Sequence, residues 1–103
     1  PKEVSWMNQN LPQNAKVKIL PVYPGNAPIA ALSFYPDVIV YLQNQGFLRK
    51  DLQFFAEPPY DYIVLISRQG LFDDVCWRLY KTETPAYSVK RKGIQMMGIY
   101  PLR

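Results

Sequence analysis

The apolar positions of residues 2–11, KEVSWMNQNL, fall at Val4, Met7 and Leu11, which is one stripe of a helix. Pro1 suits the start of that helix and Pro12 its stop. Residues 15–23, AKVKILPVY, put Val17 and Ile19 on one face with Lys16 and Lys18 between them, the alternation of a strand ended by Pro21 or Pro24. Pro24-Gly25-Asn26-Ala27-Pro28 reads as a loop, and 29–35, IAALSFY, as a short helical turn. Residues 37–45 send two signals. Val38-Ile39-Val40-Tyr41 favour a strand, whereas Pro36, Asp37 as an N-cap and Gly46 just past the end favour a helix. The flanking signals agree with one another, so helix is expected. Residues 47–56 form a connector with apolar anchors.

Tyr60 to Ser67 is the strongest strand pattern in the chain. A continuous apolar run from Tyr62 to Ile66 implies that both faces are covered, as at the centre of a sheet. After the Ser67-Arg68-Gln69-Gly70 turn, Phe72, Val75, Cys76 and Leu79 recur at i, i+3, i+4 and i+7, a second amphipathic helix. Asp73 and Asp74 in its first turn and Arg78 and Lys81 near its end complement the helix dipole. Thr84 to Leu102 reads as a hairpin turning at Arg91-Lys92-Gly93, with Ile94, Met96, Gly98 and Tyr100 along one face. The alternation predicts that Tyr87 and Tyr100 point into the core. The order is α-β-(α)-β-α-β-β: a small single-domain α/β fold over 1–103, with a mixed sheet, helices on its faces and a closing C-terminal hairpin.

Composition narrows the chemistry. A chain of 103 residues with 49% hydrophobic and 19% charged residues can bury one modest core. It has no histidine and one cysteine, which argues against a nitrogen/sulfur metal site and excludes a histidine-based triad. No apolar run approaches the ~20 residues of a membrane span. The chain opens on Pro1, as an excised piece of a larger protein or a processed product would.

The net charge of +4 is unevenly placed. From Val75 onward, Arg78, Lys81, Lys90, Arg91, Lys92 and Arg103 face Glu83 alone, six against one, or +5; the rest of the chain sums to −1. A basic C-terminal region suits an anionic partner, although three adjacent cations also serve simply to keep a hairpin soluble.

The polar turn after the central run lies where open α/β sheets bind ligands. It has no glycine fingerprint and no phosphate-binding lysine, and Asp73 and Asp74 would repel an anion from the next helix. Arg68 could clamp an anion or pin the turn by forking onto Asp73 or Asp74. Ser67 lacks a base, and Cys76 reads as a small core residue. Adjacent Asp73 and Asp74 diverge by about 100° on a helix and so do not form a catalytic pair. Asp61 reads as a structural anchor. Tyr80, Tyr87 and Tyr100 with the basic tip carry no nucleic-acid-binding pattern, so nucleic acid is not an expected partner.

The stretch PYDYIVLISRQGLFDDVCWRLYKTETPAYSVKRKGIQMMGIYPL resembles the C-terminal tail of integral-membrane glycosyltransferases of the dolichyl-phosphate-mannose protein mannosyltransferase type. The features that carry the likeness are Asp61-Tyr62, Ser67-Arg68-Gln69, Trp77 and Tyr80, Pro85-Ala86-Tyr87-Ser88-Val89, and Gly93-Ile94 leading to Ile99-Tyr100. At the other end, WMNQNLPQNAKVKIL looks like the helix, link and first strand that open such a tail; the likeness is weakest from 24 to 56.

The resemblance implies a non-catalytic domain on the extracytoplasmic side, following the last span of an enzyme that uses a polyprenyl-phosphate sugar. The catalytic carboxylates of such an enzyme lie in its membrane part, so none is expected here and no cofactor is implied. The implied partners are the transmembrane part of the same chain and an anionic lipid, glycan or polyprenyl-phosphate. Arg68, Gln69, Lys90, Arg91 and Lys92 are the candidate contact residues. The competing expectation is a free-standing α/β module that binds a small anionic ligand or a protein.

Overall fold

The structure, a computed structural model, describes residues 1–20, 29–66, 70 and 72–102, the side chains of 29–31 excepted. Its elements are α1 (Lys2–Asn10), β1 (Val17–Leu20), a 3₁₀ helix (Ile29–Phe34), α2 (Pro36–Asn44), β2 (Tyr62–Leu65), α3 (Asp74–Thr82), β3 (Tyr87–Arg91) and β4 (Ile94–Pro101). The four strands form one mixed sheet in the order β1-β2-β4-β3. β1 runs parallel to β2, and β4 is antiparallel to both of its neighbours. The expected α/β class, element order and closing hairpin are all present.

β2 is an inner strand, as its continuous apolar pattern requires. Val64, Leu65 and Ile66 are fully buried, and each side chain so sequestered stabilises the fold by about 1.5–3 kcal/mol. They divide between two cores. Val64 and Ile66 join Val17, Met97 and Ile99 beneath α1, α2 and the 47–56 connector. Leu65 joins Tyr100 beneath Cys76 and Leu79 of α3. Helices thus lie on both faces, and Tyr87 and Tyr100 point to opposite ones. Tyr100 is fully enclosed; Tyr87 is half-buried.

Residues 36–44 form a helix despite their β-branched run. Tyr35 is the N-cap with no side-chain bond, Pro36 takes the first helical position, and Asp37 sits in the first turn, so the expected capping by Asp37 does not occur. At the other end Gly46, at φ +80°, lets Phe47 N–H reach Leu42 O at 2.9 Å and Gly46 N–H reach Gln43 O at 3.2 Å. Those two reversed bonds close the helix as a Schellman motif.

Two anchors tie the layers. The Arg49 guanidinium donates to Leu11 O at 2.7 Å, Asn8 O at 3.2 Å and Pro12 O at 3.1 Å, closing the carbonyl end of α1, and forks onto both Asp51 oxygens at 2.7 and 3.0 Å. Asp51 in turn accepts from Asn14 N–H at 2.8 Å. Arg49 and Asn14 N–H together hold the Asp51 carboxyl well below the usual carboxylate range. Asp61 is the anchor expected of it. Its side chain accepts from Lys16 N–H at 2.8 Å, and its backbone oxygen accepts from Leu102 N–H at 2.8 Å, joining the β1, β2 and β4 ends of the sheet.

Two expectations need correcting. Val75 is 53% exposed instead of lying in the buried stripe, because α3 starts at Asp74 and turns Cys76 and Leu79 inward. Gln95, not Met96, lies on the Tyr100 face, because the strand register shifts at Val89/Lys90 and leaves Met96 without a partner. The shift reverses the alternation beyond it.

Candidate functional site

Lys2, Ser5, Trp6 and Gln9 fall at i, i+3, i+4 and i+7 of α1, so they share one face of that helix. The face looks onto the start of β3, where Trp6 stacks on Tyr87 with ring centroids 5.4 Å apart and planes 30° apart. These residues, with Pro1, line an open groove of about 490 Å³. A second hollow of about 370 Å³ shares Pro1, Lys2 and Tyr87 with it. Its remaining wall is Glu3, Leu32, Ser33, Val89 and Arg91. Both are open to solvent.

Glu3 is the unusual member. It is a carboxylate only 8% exposed, beside an equally covered Ser33, whose hydroxyl donates to Glu3 Oε1 at 2.9 Å. Among the described residues this is the one hydrogen bond made to the Glu3 carboxylate. Burial, and then the nearby charge of Glu3, push the Tyr87 phenol above its ordinary range.

Of the residues expected at a site, Lys90, Arg91 and Lys92 are exposed at the β3–β4 tip. Lys92 at φ +52° and Gly93 at φ +79° make the two-residue turn, with Arg91 paired to Ile94 across it. Arg91 alone of the three reaches the hollow. Arg68 and Gln69, with Ser67 before them, lie outside the described residues. Trp6, Glu3 and Ser33 were not singled out from the sequence. The signal for Glu3 was its place four residues before Met7, on the flank of the buried stripe.

Asp73 and Cys76 serve the structure of α3. Asp73 caps α3, accepting from Cys76 N–H at 2.8 Å, and that bond lowers its pKa. Burial pushes the Cys76 thiol up to about 11, well above a reactive range. No group of three or more Cys, Asp or Glu that could hold a metal ion occurs among the described residues. Among the described residues Glu3 is the sole carboxylate lining the two hollows, so no pair of carboxyls suited to acid–base catalysis is seen there. The arrangement is equipped to bind. No helix among the described residues is long and apolar enough to cross a membrane.

No family model, curated protein or solved structure matches the chain.

Proposed function

We propose that this chain is a non-catalytic accessory domain of a membrane glycosyltransferase that uses a polyprenyl-phosphate sugar, and that its basic hairpin tip rests on anionic lipid. The order of sequence features supports the enzyme class. The observation that carries the lipid-facing reading is the meeting of Arg91 with Pro1 and Lys2 on one hollow. In a chain of the proposed type the last membrane span leads into α1. The turn at Lys92-Gly93 would then share the membrane side of the domain with that junction, and cations there would face headgroups. Lys90, Arg91 and Lys92 each contribute about 1 kcal/mol to attraction toward an anionic leaflet.

The test is flotation with vesicles of phosphatidylcholine containing phosphatidylserine. Binding is expected at low salt and should fade toward 1 M salt, where screening shortens to about 3 Å. Neutralising Lys90, Arg91 and Lys92 together should weaken it roughly a hundredfold. Unchanged binding in that variant overturns the lipid-facing reading. The enzyme class is tested separately by the reading frame upstream of Pro1, where a series of apolar stretches of about 20 residues is expected. A frame without them favours a free-standing binding module.

A further inference from the structure

We infer that the two adjoining hollows beside α1 and β3 together bind a saccharide, with Trp6 and Gln9 on the first, Glu3, Ser33 and Arg91 on the second, and Lys2 and Tyr87 shared between them. The inference stands on the groove itself and does not rest on the membrane reading. Three observations converge. The stacked Trp6–Tyr87 pair borders open space and remains partly exposed, offering apolar ring surface of the kind against which the C–H face of a hexose packs. Glu3 is more than nine-tenths covered yet lines the second hollow, and among the described residues only its Oε1 is engaged, by Ser33, so Oε2 is offered as an acceptor for a ligand hydroxyl. Gln9 and Ser5 on the adjoining wall can both donate and accept.

The mixture of charges selects the ligand class. A simple cation would meet Lys2 and Arg91, and a simple anion would meet Glu3. A polyol donates to the carboxylate and accepts from the cations with the same kind of group, so it satisfies every wall at once. The C–H face of a pyranose ring also suits the aromatic pair, which a small inorganic ion would leave bare. The Ser33 bond fixes the Glu3 rotamer before any ligand arrives, which lowers the entropy lost on binding.

The experiment is a titration of the ¹⁵N-labelled chain with maltotriose, cellotriose and mannotriose, three neutral hexose trimers of different linkage, at millimolar concentration. The two indole N–H signals act as probe and control. At least one sugar is expected to move the Trp6 indole saturably, together with the Tyr87 and Ser33 amides, while the Trp77 indole stays in place. Absence of a saturable Trp6 shift with all three sugars overturns the proposal. So does equal movement of both indoles, which would mean unspecific stacking. Trp6→Ala removes core packing, so Glu3→Gln, which keeps size and the Ser33 contact, is the informative variant. It should retain a native amide spectrum and bind about tenfold more weakly, as loss of a charged hydrogen-bond acceptor implies. A folded Glu3→Gln chain of undiminished affinity also overturns the proposal.

Discussion

Gln95 Nε2 donates to Tyr100 Oη at 2.8 Å, with both side chains buried. The bond passes over Gly98. A Cβ at that position would stand 2.7 Å from the Gln95 amide nitrogen and 2.8 Å from Tyr100 Cε1. The missing side chain is therefore what admits the pair. Gly98→Ala should cost about 1–3 kcal/mol by overpacking, read as a lower midpoint in urea unfolding. Parental stability in this variant would show that ring and amide have room to move.

Lys92 occupies the first position of the hairpin turn at φ +52°, which lysine disfavours and asparagine tolerates. Lys92→Asn should raise stability by about 0.5–1 kcal/mol while reducing attachment to anionic vesicles. Opposite signs in two assays on one variant separate turn geometry from surface charge.

The Asp51 carboxyl is depressed, first by the Arg49 fork and then by Asn14 N–H. A group with a lowered folded pKa gives stability that is fully present above its unfolded value of about 3.9 and is lost as pH falls toward the folded one. The stability gap between the parent and Asp51→Asn should therefore be flat from neutral pH to about 5 and narrow below about 4. Urea midpoints measured across that range check it; a gap that narrows between pH 7 and 5 would contradict it.

Asp73 holds the first turn of α3 through one oxygen. Asp73→Ala should lower the melting temperature, whereas Asp73→Asn and Asp73→Ser, which also cap through oxygen, should largely preserve it. Equal losses in all three would point to charge instead of capping.

The Cys76 thiol is buried and raised to about 11. Labelling by a thiol reagent at pH 8 should proceed only through opening of the fold and accelerate as urea approaches the unfolding midpoint. Immediate labelling in native buffer would mean that α3 does not cover the Leu65 and Tyr100 face of the sheet.

The sheet was legible because its inner strand, Tyr62 to Leu65, is a run that only a doubly covered position tolerates. Residues 36–44 were legible as helix only through their ends. Pro36 and Gly46 fix the backbone, and the propensities of Val38, Ile39 and Val40 yield to them. Val75 misled because Phe72 precedes the helix and so does not help define its buried face. The bonds by which Arg49 closes α1 could not be read at all, since their carbonyl acceptors lie 37–41 residues away and carbonyls have no sequence signature. Half of the groove was written in the spacing of Lys2, Ser5, Trp6 and Gln9. The other half depends on Tyr87 arriving from the far end of the chain.

That distance matters for how the molecule is made. β4 is inserted between β2 and β3, and among the described residues β3 has no other strand beside it. A nascent polypeptide halted before Ile94 would hold a two-stranded parallel fragment and an orphan strand, each with bare edges and half a core. Vectorial synthesis cannot settle the sheet piecemeal: its keystone is delivered last, and the domain consolidates only once that strand has left the ribosome.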